Sequence, residues 1–260
     1  MGGGAFGVDV GGSSIKYAVI DTGSGQLLTP LAGVPTPQPG DGKQLVAAIS
    51  DLARRVAPEM PVGVALPCVI RHGVACTAAN LHGSLIGTNI QAPLRAAIGQ
   101  PVACLNDADA AGLAEVRWGA ARGARGTVMV LTFGTGIGSA LFVDGRLVPN
   151  TELGHMEVGG REGELRASAR VRTEEHLDWA QWCERVNLYL DAINRLFWPE
   201  LIVIGGGISK DFDQYGSMLR SRATLAPARL GPAAGVVGAA MAIAGEIGRA
   251  SCRERVFSSV

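Results

Sequence analysis

Residues 6–21 and residues 128–144 of this chain follow the same plan. Each passage reads as a buried strand, a glycine-rich turn, a second strand and an acidic turn, which predicts an internal duplication of a strand–turn–strand unit. Apolar residues at helical spacing come after the first passage, at Leu45, Ile49 and Leu52. Further helical stretches separate the remaining strands. Strands that alternate with helices indicate an α/β protein.

Composition and charge exclude several classes of protein. Of the 260 residues 47% are hydrophobic and 18% are charged, against about 25% charged in an average chain, so we expect a globular protein rather than a disordered one. Lys+Arg 23 and Asp+Glu 23 balance, which removes long-range attraction to nucleic acid or to an acidic membrane. The 5 cysteines include no C-x-x-C pair, which is typical of a reducing compartment. Because we see neither a signal peptide nor a bilayer-spanning run, we expect a soluble cytoplasmic protein.

Glycine-rich turns follow buried strands at Gly11-Gly12, at Gly134-Thr135-Gly136-Ile137-Gly138 and at Gly205-Gly206-Gly207. The backbone N–H groups of such turns bind anions, and glycine leaves room for a phosphate. None of the turns matches a Walker A loop or the G-x-G-x-x-G pattern. A single such turn reads equally well as a tight hairpin. Their recurrence at strand ends favours a cleft that binds phosphoryl groups.

Two charged residues flank the first glycine turn. Asp9 ends the strand before it, where a carboxylate is well placed to hold a hydrated Mg²⁺ ion, and where it could also cap the turn. Lys16 lies on the strand after the turn. Its side chain either faces the same phosphate or alternates outward.

Polar residues at a second strand end predict the acceptor site. Asn106 and Asp107 close a buried strand, and in open α/β sheets this edge lines the ligand crevice. Asp107 could take a proton from a hydroxyl, or it could cap the following helix. Side chains suited to binding sugar hydroxyls occur elsewhere in the chain, at Asn80, Glu152, His155 and Glu164. His155 with nearby carboxylates also suggests a metal, but no cysteine lies close in sequence to complete a zinc set.

The segments at residues 9–16, 105–112, 131–138 and 152–155 together resemble the sugar kinases of the ROK family. The resemblance covers nearly the whole chain. It implies an actin/hexokinase-type (ribonuclease H-like) fold of duplicated α/β domains with the active cleft between them, in a homodimer. We expect a small domain of residues 1–106 completed by a helix at about 234–248, and a large domain of residues 107–233. Residues 249–260 are expected to form a disordered tail outside the fold. This tail either belongs to the natural protein or is a remnant added to it.

The resemblance also implies an activity and its residues. We expect transfer of a phosphoryl group from inorganic polyphosphate, and from ATP, to the 6-hydroxyl of glucose, with mannose as a further candidate substrate. Asp107 would be the catalytic base. The sugar would be held by Asn80, Asn106, Asp107, Glu152, His155 and Glu164. The donor would be held, with Mg²⁺ on Asp9, by Asp9, Gly11, Gly12, Ser13, Lys16, Thr132, Gly134, Thr135, Gly136, Gly205, Gly206, Gly207 and Lys210.

The sequence departs from the family's pattern in three places. It lacks the cysteine cluster that binds zinc in many members, so we predict no zinc site. The resemblance implies Lys and Trp at two positions where this sequence has Gly83 and Leu85, and this difference puts the sugar-side loop and the sugar preference in question. The segment after Gly207 keeps only Lys210 among its basic residues. Two sets of basic residues are candidate contacts to polyphosphate, namely Arg117, Arg122 and Arg125, or Lys210 with Arg220 and Arg222. Arg229 continues the basic character of the second set. Each of these residues is also compatible with an ordinary solvated surface.

Two other functions compete with this hypothesis. One is an ATP-only hexose or N-acylhexosamine kinase of the same family, because sugar specificity depends on pocket shape. The other is a sugar-sensing regulator without enzymatic activity. Regulators of the family carry a helix-turn-helix before the first glycine turn, and that turn begins here at Gly11. The regulator is therefore the weaker alternative.

Overall fold

The computed structural model describes residues 3–257, with side chains through residue 245. Its strands are β1 (Gly4–Val10), β2 (Ser14–Asp21), β3 (Ala32–Pro35), β4 (Val62–Leu66), β5 (Ile70–Arg71), β6 (Val74–Ala75), β7 (Val102–Asn106), β8 (Thr127–Phe133), β9 (Ile137–Val143), β10 (Arg146–Val148), β11 (Leu201–Gly205) and β12 (Thr224–Pro227). Its α-helices are α1 (Gly42–Val56), α2 (Gln91–Ile98), α3 (Asp107–Trp118), α4 (Gly163–Ala167), α5 (Ala169–Glu174), α6 (Trp179–Phe197), α7 (Phe212–Tyr215) and α8 (Ala234–Phe257).

The chain forms two compact units. Unit 1 is Met1–Ala114 with Ala233–Val260, and unit 2 is Glu115–Pro232. Residues 107–114, predicted to begin the second domain, therefore belong to unit 1. The reason is packing, because Ala110 on α3 lies in one buried cluster with Ala65 of β4 and Ala239 of α8. A Cβ on Gly238 would overlap the Ala110 carbonyl, so the two helices touch backbone to backbone.

Each unit contains a five-stranded sheet, and the two sheets have the same topology. Their strand orders are β3-β2-β1-β4-β7 and β10-β9-β8-β11-β12. In both sheets the first three strands along the chain form an antiparallel meander, and the last two add to it in parallel. This repeat confirms the predicted duplication and the α/β class.

Parallel pairing places the predicted site residues at sheet edges. In unit 1, β1 pairs with β4 and β4 pairs with β7, so the Gly11-Gly12 turn and Asn106 emerge from the same edge. In unit 2, Thr132 of β8 pairs with Gly205 of β11. The two glycine turns of unit 2 thus leave one edge together, which is where ligands bind in open α/β sheets.

Helix α8 packs directly on the sheet of unit 1. A Cβ on Gly7 of β1 would overlap the carbonyl of Val236, and one on Gly63 of β4 would overlap the carbonyl of Ala239. Glycine at these two strand positions lets the backbone of α8 approach closely. The small residues from which this helix was predicted also allow its close contact with the sheet.

The last helix is longer than the sequence predicted. We placed its end near Gly248, and it continues to Phe257, since no proline or glycine-based cap stops it beyond that point. The side chains after residue 245 and residues 258–260 lie outside the described part of the chain. The backbone of residues 249–257 is therefore helical, where the sequence predicted a disordered tail over residues 249–260. For residues 258–260 that prediction stays untested. Among the helices of the described residues, none is both long enough and apolar enough to cross a membrane.

Unit 2 is built around α6 and an aromatic cluster. A capping box of Asp178 and Gln181 starts the helix, as the spacing of these two residues predicted. Trp182 is fully buried, with its ring 5.6 Å from that of Phe133 on β8 and 5.2 Å from that of Tyr215. Full burial of such large rings contributes roughly 2–3 kcal/mol each, so this cluster anchors the sheet that carries the glycine turns.

Candidate active site

The first glycine turn is held by hydrogen bonds from a neighbouring segment. Gly11 N donates to Ser14 O at 2.9 Å, which closes the turn between β1 and β2. Thr36 Oγ donates to Gly11 O at 2.6 Å, and Gln38 Nε2 donates to Gly12 O at 3.3 Å. Because these bonds occupy the carbonyls on one side of the turn, its conformation is fixed before any ligand binds. This role of Thr36 and Gln38 was not predicted from the sequence.

Asn80 lies against the same turn. A Cβ on Gly12 would be 3.1 Å from both Cβ and O of Asn80, which is tighter than most Cβ contacts, so a larger residue at position 12 would press against Asn80. Asn80 has a φ of 59°, a left-handed conformation that asparagine tolerates better than most residues. The structure thus brings one predicted sugar residue next to the predicted donor turn within unit 1.

Asp9 is half-buried at the end of β1. It is paired in register with Lys16 on β2, and burial raises the pKa of its carboxyl while Lys16 acts in the opposite direction. The ionised carboxylate is therefore poorly solvated, which favours a bound cation. Lys16 is thus placed opposite Asp9, and its contact with a phosphate stays a prediction.

Asn106 and Asp107 lie at the start of α3. The sequence left open whether Asp107 takes a proton from a hydroxyl or caps this helix. The buried Asn106 uses its side-chain oxygen to accept from Ala108 N at 2.8 Å and Asp109 N at 3.0 Å, and its amide donates to Cys68 O at 3.3 Å. Asn106 therefore caps the helix. Asp107 Oδ1 accepts from Ala108 N at 2.8 Å and is half-buried, so its carboxylate is fixed at the helix N-terminus.

The second glycine turn contacts a predicted sugar residue. Gly134 N donates to Gly136 O at 3.0 Å. A Cβ on Gly136 would overlap the carboxylate of Glu164, whose Oε2 accepts from Ile137 N at 3.3 Å. Glu164 thus links the predicted donor turn of unit 2 to the predicted sugar residues of that unit. Thr135, in the middle of the turn, is exposed.

Three carboxylates surround His155. Its Nδ1 lies 3.0 Å from Glu162 Oε2 and 3.9 Å from Glu164 Oε1, and its Nε2 lies 3.8 Å from Glu152 Oε2. The hydrogen bond to Glu162 raises the pKa of His155, and the neighbouring carboxylates act in the same direction. Burial raises the pKa of Glu152, an effect that Glu164 reinforces and His155 opposes.

Glu162 is a further site residue that was not predicted from the sequence. Its side chain is about half-exposed, and no motif marks it. The only signal was its position in an acidic stretch just before Glu164. Within the described residues, ligand atoms of His155, Glu162 and Glu164 lie within 4.8 Å of one another, a spacing compatible with a metal ion, and no cysteine joins them. The absence of zinc stays a prediction.

The third glycine turn runs into a 3-10 helix at Gly207–Asp211. Gly206 has a φ of 83°, and a Cβ there would overlap the backbone of Phe133, so only glycine fits. Lys210 is exposed on the 3-10 helix. The candidate polyphosphate residues Arg220 and Arg222 line a cavity of about 440 Å³ that also contains Glu184 and Asp191, and the Arg222 guanidinium lies 4.9 Å from the centre of the Trp198 ring.

A larger cavity of about 600 Å³ lies in unit 1 between α1 and α2. Its walls include Val46, Ser50, Ile90 and Pro93, and none of the predicted site residues lines it. Size alone therefore does not mark the reactive site of this chain.

Comparison with known proteins decides the family. A family model described as the ROK family matches residues 5–176. The chain belongs to the ROK family. It is 46% identical over 238 residues to a polyphosphate glucokinase of Mycobacterium tuberculosis, covering 91% of this chain and 90% of that protein.

Solved structures agree with this family. The inorganic polyphosphate/ATP-glucomannokinase of Arthrobacter sp. strain KM is 46% identical, with a TM-score of 0.88, over 94% of this chain and 99% of that one. A ROK family glucokinase from Streptomyces griseus, in complex with glucose and AMPPNP, has a TM-score of 0.78 at 22% identity, over 92% of this chain and 98% of that one. The predicted actin/hexokinase-type α/β fold is confirmed.

Proposed function

We propose that this ROK protein is a glucokinase that transfers a phosphoryl group from inorganic polyphosphate, and from ATP, to the 6-hydroxyl of glucose. The observation that carries the proposal is the 46% identity, over nine-tenths of the chain, to a polyphosphate glucokinase. A glucomannokinase that uses both donors gives the same identity, which supports ATP as a second donor and mannose as a second acceptor.

Asp107 is the proposed base. A carboxylate that takes the proton of the attacking hydroxyl contributes typically ~10²–10⁴-fold to such reactions. Asn106 supports this role because its cap fixes the first turn of α3, and with it the Asp107 backbone. The hydrogen bond from Ala108 N to Asp107 Oδ1 orients the carboxylate, and Oδ2 is the proposed proton acceptor.

The remaining residues are proposed to bind the two substrates. Asn80, Asn106, Glu152, His155 and Glu164 would hold the sugar hydroxyls. The glycine turns would bind the donor through backbone N–H groups, since phosphoryl transfer requires mainly positioning and charge neutralisation. Ser13, Thr132, Thr135 and Lys210 are proposed to add side-chain contacts.

Mg²⁺ is the proposed cofactor, with Asp9 as the residue that holds it. The fit rests on the half-buried carboxylate, whose pKa is raised because its ionised form lacks solvation. A hard divalent cation prefers oxygen ligands of this kind. When bound, the ion would neutralise charge on the phosphoryl groups of the donor.

The test is to measure glucose 6-phosphate formation with polyphosphate, with ATP and with no donor, at saturating glucose and Mg²⁺. Product with polyphosphate supports the proposal, and activity with ATP alone would replace it with the ATP-only kinase. Absence of product with either donor, while glucose still binds, would favour the regulator. Repeating the assay with mannose and an N-acylhexosamine identifies the acceptor.

We also propose that the protein is a homodimer in the cytoplasm. Exposed apolar side chains along α6 and directly after it support an interface, because Leu188, Leu196 and Trp198 are 53%, 65% and 65% exposed. The four cysteines in the described part of the chain form no disulfide, which suits a reducing compartment. Light scattering of the wild type and of Leu188→Lys tests the interface, and a monomeric wild type would contradict it.

A further inference from the structure

Among the charged groups around His155, Glu162 stands apart by distance. Its Oε2 lies 3.0 Å from Nδ1 of the imidazole, within hydrogen-bond range, whereas Glu152 and Glu164 lie at 3.8 Å and 3.9 Å from the ring nitrogens. An ionised carboxylate oxygen only accepts hydrogen bonds, so Nδ1 carries the proton. The bond to Glu162 therefore fixes both the orientation of the ring and the identity of its protonated nitrogen.

The backbone under Glu162 is itself well held. Val158 N donates to Arg161 O at 2.8 Å, which closes a tight turn, and Gly163 N donates to Met156 O at 2.9 Å. The Arg166 side chain donates to two carbonyls of the turn, at Val158 and Gly159. Because the turn is braced from both sides, the Glu162 carboxylate is held near His155.

We propose that Glu162 is a positioning residue for His155, holding Nδ1–H so that Nε2 is the ring nitrogen presented to a hydroxyl of the hexose. This inference rests on the proposed function, because it names the sugar as the group that Nε2 contacts. Glu162 acts through His155 and does not touch the substrate. Carboxylates that orient an imidazole in this way are a recurring device for fixing its tautomer.

The carboxylates around the His155 imidazole make the effect of Glu162 measurable as a change in the pKa of His155. Among the described residues, Glu152, Glu162 and Glu164 are the acidic groups within 4 Å of His155, and all of them favour its protonated form. When His155 is protonated, Nε2 donates to a sugar oxygen, and the positive charge faces Glu162 and Glu164 on the Nδ1 side and Glu152 on the Nε2 side. Loss of the Glu162 charge lowers the pKa of His155, so the imidazolium persists only to a lower pH. The neutral ring that replaces it no longer has its proton held on Nδ1, and glucose binding weakens.

The experiment compares Glu162→Ala, Glu162→Gln and Glu162→Asp with Glu157→Gln. Glu157 lies opposite Glu162 in an isolated bridge, so its amide variant is a matched control for lost charge in the same turn. Two quantities are measured in each protein. One is the pKa of His155, by imidazole nitrogen NMR of the free enzyme with His155→Gln for assignment. The other is KM for glucose, with kcat, as a function of pH.

We expect Glu162→Ala to lower the pKa of His155 and to raise KM for glucose about tenfold, with kcat changed less than threefold. Glu162→Gln should lower the pKa but retain part of the affinity, because its amide oxygen still accepts from Nδ1–H, and Glu162→Asp should restore most of it. A merely structural role would lower thermal stability and kcat without moving the pKa. Glu157→Gln should match the wild type.

An unchanged His155 pKa in both Glu162→Ala and Glu162→Gln, or an unchanged KM for glucose in both, would overturn the inference. Circular dichroism identifies variants that fail to fold, and the isosteric Glu162→Gln keeps the test available if Glu162→Ala does. Failure of the proposed function has a different signature, because the wild type would then form no glucose 6-phosphate with either donor. The NMR titration needs no substrate, so it separates the two outcomes.

Discussion

The carboxylate of Asp9 packs against Gly235 in the first turn of α8. A Cβ at residue 235 would be 2.7 Å from both Cγ and Oδ2 of Asp9, closer than real Cβ atoms come to their neighbours. The final helix of unit 1 therefore starts against the predicted metal-binding carboxylate, and the missing side chain at residue 235 is what makes room for it.

Replacing Gly235 by alanine should impair both stability and donor use. Helix propensity alone favours alanine by roughly 1 kcal/mol, but overpacking against Asp9 costs typically about 1–3 kcal/mol, so the net change is destabilising. We expect a higher KM for polyphosphate as Asp9 is displaced. Thermal unfolding and donor kinetics measure both effects. Gly3→Ala, where nothing lies within 4 Å of the added methyl, is the control, and a stabilised, fully active Gly235→Ala would contradict the contact.

Asp9→Asn should stabilise the metal-free protein at neutral pH while abolishing most activity. The pKa of Asp9 is raised by burial, so the folded state binds its proton more tightly than the unfolded state does. Its ionisation therefore costs stability as pH rises through the raised pKa. We expect thermal unfolding to show a higher melting temperature for Asp9→Asn at pH 7, with the difference disappearing in acid.

Asp21 supplies a control of opposite sign at the far end of β2. Backbone N–H groups of Ser24 and Gly23 lower the pKa of its exposed carboxyl. Stability from this group is present at neutral pH and is lost as pH falls through the lowered pKa. Asp21→Asn should therefore not raise the melting temperature at pH 7. Equal stabilisation by both substitutions would show that burial of Asp9 is not the cause.

Thr36→Val should weaken donor binding selectively. Thr36 is buried, and its hydroxyl bond to Gly11 O holds the first glycine turn. Removing it leaves a carbonyl unsatisfied, at a cost of about 1–3 kcal/mol, and frees the turn to move. We expect KM for polyphosphate to rise about tenfold while KM for glucose changes little. Steady-state kinetics with each substrate varied in turn measure the split.

Thr29→Val is the matched control for that prediction. Thr29 also bonds the backbone of unit 1, where its hydroxyl accepts from Val19 N at 2.9 Å, but this contact lies on β2 away from the glycine turn. The variant should lower stability without a selective effect on the donor. Equal changes in KM for polyphosphate in both variants would refute a specific role for Thr36.

Much of the fold was predictable because its signals are local. The strand–turn–strand repeat, the continuous apolar run of β4 and the capping box at Asp178 depend on residues close in sequence, and the structure has all of them. The strands β3, β10 and β12 were not predicted. They are short edge strands, and pairing with a neighbour defines them more than their own composition does.

The site residues also fall into two groups, those predicted from local motifs and those that only the folded chain reveals. Motifs led to the glycine turns, to Asp107 and to the residues around His155, because these types occur at fixed spacing in the family. Thr36, Gln38 and Glu162 were missed, since each acts through a contact that only the folded chain creates. The assignment of residues 107–114 to unit 1 was missed for the same reason, because backbone packing between α3 and α8 leaves no local pattern.

The central claim is that Asp107 takes the proton from the sugar hydroxyl, and kcat of Asp107→Asn tests it most directly. The amide oxygen of the replacement side chain would still accept from Ala108 N, so we expect normal folding by thermal unfolding. With glucose and polyphosphate both saturating, kcat should fall by about 10²–10⁴-fold. The surface variant Asp51→Asn, which removes only the ion pair with Arg55, should keep its activity. A folded Asp107→Asn protein that turns over at the wild-type rate would contradict the account.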